Sequence, residues 1–104
     1  MSIAKKHWST VILETDEDAT GDYVTTTEYD HWDVRVENNG TGTVKIQRGY
    51  QGIADDSDFW VDLASFVDDD GVLKITEPCQ AIRAVAESVS GTPTIKVTLE
   101  RVQR

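Results

Sequence analysis

Hydrophobic and polar residues alternate along most of the chain with a period of two, which is the signature of half-buried β-strands. In "WDVRVEN", Trp32, Val34 and Val36 point to one side, and Asp33, Arg35 and Glu37 to the other. In "VKIQR", Val44 and Ile46 face inward while Lys45 and Gln47 face outward. Between these two runs, "NNGTG" (38–42) supplies residues that tolerate positive φ. The spacing predicts a hairpin with one dry and one wet face, whose outward charges, Arg35 and Lys45, pair with nearby acids.

The second half repeats the pattern. "VLKIT" (72–76) sets Leu73 and Ile75 on one face. "CQAIRAVAE" (79–87) places Ile82, Ala84 and Ala86 inward and Arg83 and Glu87 outward. Its helix propensity is outweighed by Pro78 before it and the turn-like "SVSGTP" after it, so it reads as a strand. "TIKVTLERV" (94–102) buries Ile95, Val97 and Leu99. In "DFWVDLA" (58–64) the alternation predicts burial of Phe59, Val61 and Leu63, with Trp60 partly exposed or at a core edge. "HWSTVILET" (7–15) and "GDYVTTTEY" (21–29) are rich in β-branched and aromatic residues, with no clear inward face. Turn residues recur about every ten positions, as short strands require. The expected fold is all-β: an antiparallel β-sandwich of about eight strands, jelly-roll or immunoglobulin-like. With one cysteine, the paired-cysteine pattern of true immunoglobulin domains is absent.

Composition narrows the picture. A chain of 104 residues suits one domain, here a short arm over 1–6 ("MSIAKK") followed by a single sandwich over 7–104. The lone Cys79 excludes an internal disulfide and fits assembly in a reducing cytoplasm. No apolar run follows the two N-terminal lysines as in a secretory signal, and none reaches the ~20 residues of a membrane span. The net charge of −9 repels phosphate backbones, so neither nucleic acid nor membrane is an expected partner.

Candidate chemistry is sparse. Cys79 with His7 or His31 is the minimum for a thiol enzyme, but "EPCQA" carries no oxyanion turn, and cysteine is a common core residue. The motifs of serine hydrolases, zinc proteases and P-loops do not occur. "DEDATGD" (16–22) resembles the first half of a calcium loop, making Asp16, Asp18 and Asp22 weak metal candidates. Position 12 of that loop is Thr27 rather than Glu. "DDSD" (55–58) and "DDDG" (68–71) read as solvated acidic turns. No cofactor is expected. Trp8, Tyr50 and Trp60 lie near strand ends, and as exposed aromatics they are the candidate binding residues.

The stretch "DFWVDLAS" (58–65) with "DDDGVLKITEPCQAIRAVAESVSGTPTIKVTLER" (68–101) resembles small virion proteins of tailed bacteriophages. The matching positions are Trp60, Leu63, Ile82, Arg83, Ala84, Gly91 and the closing "TIKVTL". The resemblance covers about half of the chain. It implies a non-enzymatic virion structural protein, assembled in the host cytoplasm: capsid decoration (cement), head-fibre or collar, or tail component. It implies a homo-oligomer, with a trimer favoured, that contacts other virion proteins. The alternative is a carbohydrate-binding β-sandwich module that uses exposed aromatics with calcium assistance.

Overall fold

The computed structural model describes residues 8–26, 31–49, 60–76 and 79–102. The arm over 1–6, His7, Tyr50, "DDSD" and Phe59 lie outside the described residues. Nine strands follow one another: β1 (Trp8–Thr15), β2 (Ala19–Thr20), β3 (Val24–Thr25), β4 (His31–Asn38), β5 (Thr41–Gly49), β6 (Val61–Val67), β7 (Gly71–Ile75), β8 (Ala81–Ser90) and β9 (Ile95–Val102). They form two antiparallel sheets. Sheet A has the order β1-β9-β4-β7, and sheet B the order β2-β8-β5-β6, with β3 also pairing β8 beside β2.

The core lies between the sheets. Val34, Val36, Ile95, Val97 and Leu99 of sheet A meet Val44, Ile46, Ile82 and Ala84 of sheet B, and all are at most 1% exposed. Removing a side chain of this size from water contributes roughly 1.5–3 kcal/mol. The alternation that predicted these inward positions is borne out in β4, β5, β7, β8 and β9. Cys79 is buried in the same core. Its carbonyl accepts a 2.7 Å bond from the Thr26 hydroxyl.

Three expectations are corrected. The first is the hairpin over 32–49. β4 is flanked on both sides, by β7 and β9, so no lane beside it is open to β5. The chain instead crosses at Asn39–Gly40 into the other sheet, and the two strands face each other across the core. A two-residue hairpin of type I′ needs positive φ at both central residues. Among the described residues positive φ occurs at Gly42, Asp68, Ser88, Gly91 and Thr92, and not at Asn39 or Gly40. The outward charge pairs do form, but with other strands. Arg35 meets Glu100 at 3.3 Å, and Lys45 meets Glu87 at 3.2 Å.

The second correction concerns 58–64. Trp60 is buried at 8%, and Val61 is 46% exposed. The register between β5 and β6 slips between Ile46 and Gln47, where Ala64 and Asp62 are the successive partners. Leu63 is the extra residue; ahead of it Trp60 and Asp62 keep the outward phase, so Trp60 is buried by packing on the outer face of sheet B, and the bulge shifts the phase only after Leu63, where Ala64 and Phe66 turn inward. A similar slip between Val11 and Leu13 of β1 explains why Ile12 and Leu13 are both buried, a pattern that hides the inward face from a period-two reading. Third, the strand expected over 21–29 is broken. Among its described residues, 21–26, the two-residue β3 pairs β8, as β2 does just before it, and Gly21 between them donates its N–H to the Ala84 carbonyl at 2.9 Å.

All four short crossings between sheets lie at one end: 16–18, 39–40, 68–70 and 91–94. Their polar side chains tie them together. Asp70 accepts the Asn38 N–H at 2.7 Å, and Asp68 accepts the Gly42 N–H at 2.8 Å. The Asn39 amide oxygen accepts the Thr94 N–H at 2.7 Å, and Asp18 accepts the Val89 N–H at 2.8 Å. Gly40 is required by proximity, because a Cβ there would stand 2.7 Å from the Cβ of Pro93. Asn38 is itself buried, donating to the Gly42 carbonyl at 3.1 Å and accepting from the Gly40 N–H at 3.0 Å. Asn38→Ala removes two internal hydrogen bonds and leaves the Gly40 N–H without its acceptor, while the Gly42 carbonyl keeps the Asp68 N–H. It should cost about 2–3 kcal/mol, read as a lower urea midpoint at an unchanged slope.

Candidate protein-contact face

The best-organised group of chemically distinctive side chains stands on the outer face of sheet B. The register aligns Gly49 with Ala81, Gln47 with Arg83, and Lys45 with Val85, and β6 sets Asp62 beside Gln47. Because the inward residues of these strands alternate with them, all these side chains point away from the core. Trp60 enters β6 from outside and lies flat over this surface. A Cβ at Gly49 would fall 2.9 Å from its ring, so only glycine leaves room for the indole. With Ala81, Trp60 forms a small apolar cluster separate from the main core.

Arg83 packs against the indole, its guanidinium carbon 4.2 Å from the ring centroid. Tyr23 leans against the same ring at 6.1 Å and 52° and remains 43% exposed. The Arg83 Nε donates to Gln47 at 2.8 Å, and Gln47 donates on to Asp62 at 2.7 Å. Lys45 lies 3.9 Å from Asp62 and 3.2 Å from Glu87. Burial pushes the Arg83 guanidinium below its ordinary value, and it stays charged because that value lies so high. The result is a rigid Tyr–Trp–Arg surface, held by stacking and a chain of hydrogen bonds. Residues of these three types dominate the energetics of protein interfaces.

The other expected site residues fall into place around this surface. Trp8 opens β1 opposite Arg101, Gly49 closes β5 just before Tyr50, and Trp60 precedes β6. The strand directions therefore bring Trp8 and Trp60 to one end, opposite the tied crossings. Trp60 is corrected as an exposed platform, since it is 8% exposed and packed against Arg83 and Gly49. Tyr50 and the Trp8 side chain lie outside what is described.

Of the weak metal candidates, Asp18 is used as a backbone acceptor, and Asp16 and Asp22 are exposed. Among the described residues, no three His, Cys, Asp or Glu side chains group as a metal site requires. On sheet A, an open depression lies between Arg35, Glu37, Asp70 and Val72.

The sequence reading passed over Tyr23, Gln47, Gly49 and Asp62. The period-two phase of β5 does put 45, 47 and 49 on one outer face, but the indole that covers them comes from a distant segment, and which strand pairs beside β5 cannot be read from local alternation. No protein-family model matches the chain, and a search of curated proteins finds no match. Replacing Arg83 with Met keeps the stem but removes the cation over the indole and the bond to Gln47. It should cost about 1–2 kcal/mol and red-shift the Trp60 contribution to fluorescence, defined by difference against Trp60→Phe.

Proposed function

We propose that this chain is a non-enzymatic structural protein of a bacteriophage virion, most closely of the capsid-decoration type, acting by protein–protein contacts. The observation that carries the contact reading is the pre-ordered Tyr23–Trp60–Arg83 surface. Its groups are fixed before any partner arrives, so little side-chain freedom is lost on binding. The strand orders β1-β9-β4-β7 and β2/β3-β8-β5-β6 support a jelly-roll assignment, with β2 and β3 sharing one lane. In an eight-lane jelly roll, two interleaved Greek keys close a double sheet, an architecture that recurs in viral capsid proteins. The virion context itself comes from the resemblance over 58–65 and 68–101. The enclosure of Trp60 weighs against the carbohydrate-binding alternative, which relied on that ring as a stacking platform.

Sedimentation tests this reading. Purified chain is mixed with DNA-filled heads of the phage that encodes it and run on a sucrose gradient. It should travel with the heads and saturate at a fixed number of copies per particle, and Arg83→Met should lower that occupancy several-fold. A chain that stays at the top of the gradient, with tryptophan fluorescence that shifts on adding oligosaccharides, would replace the virion reading with the carbohydrate one.

A further inference from the structure

The outer faces of β5, β6 and β8 carry four charged side chains: Lys45, Asp62, Arg83 and Glu87. Two cations and two acids balance there, on a chain of −9. The pairing among the four is uneven. Lys45 serves both acids, at 3.9 Å from Asp62 and 3.2 Å from Glu87. Asp62 accepts a further bond from Gln47. Arg83 meets no carboxylate among the described residues. Its Nε donates to the Gln47 amide oxygen at 2.8 Å, and its cation rests against the Trp60 ring.

Both Nη groups of Arg83 therefore remain as donors without a protein acceptor among the described residues. A further donor stands beside them. Tyr23 precedes Val24, whose register partner is Ile82, so it sits next to Arg83, and its ring leans on Trp60 at 6.1 Å. Its hydroxyl engages no acceptor among the described residues, and the side chain is 43% exposed. The guanidinium is held in place by the indole and Gln47, and burial has already stripped part of its water. Little ordering or desolvation is left for a ligand to offset.

We propose that the Arg83 guanidinium and the Tyr23 hydroxyl form a carboxylate-receiving site, into which the protein that docks on this face inserts an aspartate or glutamate side chain. Two parallel Nη donors match the two oxygens of a planar carboxylate, and such forked pairs are short and directional. Packing against the indole lowers the local dielectric and strengthens the pair. Charge supplies the specificity. The chain's excess of acid turns carboxylates away, whereas Arg83 is a fixed cation with no acid of its own, so an acidic partner group has one favoured landing point. A phosphate brings more negative charge against the same −9 and is disfavoured. The inference rests on the reading that the chain works through protein contacts at this face, and names the partner chemistry at its centre.

An NMR titration of the full chain tests it without any virion. The probes are N-acetylglutamate N-methylamide, its glutamine counterpart and inorganic phosphate. The reporters are the Arg83 Nε–Hε and Trp60 Nε1–Hε1 signals. The glutamate probe should shift both saturably in the millimolar range, and the glutamine probe should shift neither. Tyr23→Phe removes only a hydroxyl from an exposed ring and should weaken binding about three-fold. Arg83→Lys keeps the charge but loses the fork, and should weaken binding at least ten-fold on the Trp60 signal. No saturable shift, equal shifts with the glutamine probe, tighter binding of phosphate, or full affinity in Arg83→Lys would overturn the carboxylate site. Whether the chain travels with heads is decided separately, by the gradient.

Discussion

Crossing between sheets is the constraint on which this structure depends. A strand that pairs with two neighbours satisfies its backbone, but every crossing exposes N–H and C=O groups that need partners. Here four crossings come together at one end, and short acidic and amide side chains supply the acceptors. Asp18, Asn38, Asn39, Asp68 and Asp70 each accept a backbone N–H from another segment or across a turn. Buried Asn38 is central because it binds within its own crossing and, through its N–H, to Asp70. Three of the acids, Asp18, Asp68 and Asp70, are therefore structural, and the turns that carry them do more than solvate a surface.

Closing one end this way assigns roles to the rest of the molecule. The core between the sheets needs only small and β-branched side chains, and Val, Ile and Ala fill most of it. Of the other described aromatics, Tyr23 and Trp60 stand at the periphery, where Trp60 packs on sheet B against Arg83. Contact chemistry on such a fold belongs to the outer faces, the edges and the far end, because the tied crossings have committed their polar groups to one another.

The inward faces of β4, β5, β8 and β9 were legible in the sequence because a regular strand with one buried side must alternate. Legibility ended wherever one residue was added. The bulge at Leu63 shifted the phase after it, Trp60 is buried on an outer face where alternation alone reads exposure, and the slip after Val11 blurred β1. Partner choice was hidden for a different reason. "NNG" is a strong local hairpin signal, but pairing is decided by which lanes the distant β7 and β9 occupy. The surface at Tyr23, Trp60 and Arg83 draws on residues up to 60 positions apart, so no local motif announces it.

Native-state hydrogen exchange tests most directly whether the tied crossings form one cooperative unit. The informative amides are Asn38, Gly40, Gly42, Val89 and Thr94, whose acceptors are all side chains of the crossings. The account predicts that they exchange together, with protection approaching that of core amides such as Val97, because opening one crossing releases the others. Rapid exchange of these five at unrelated rates, with the core still protected, would contradict it and reduce the acidic turns to independent surface loops.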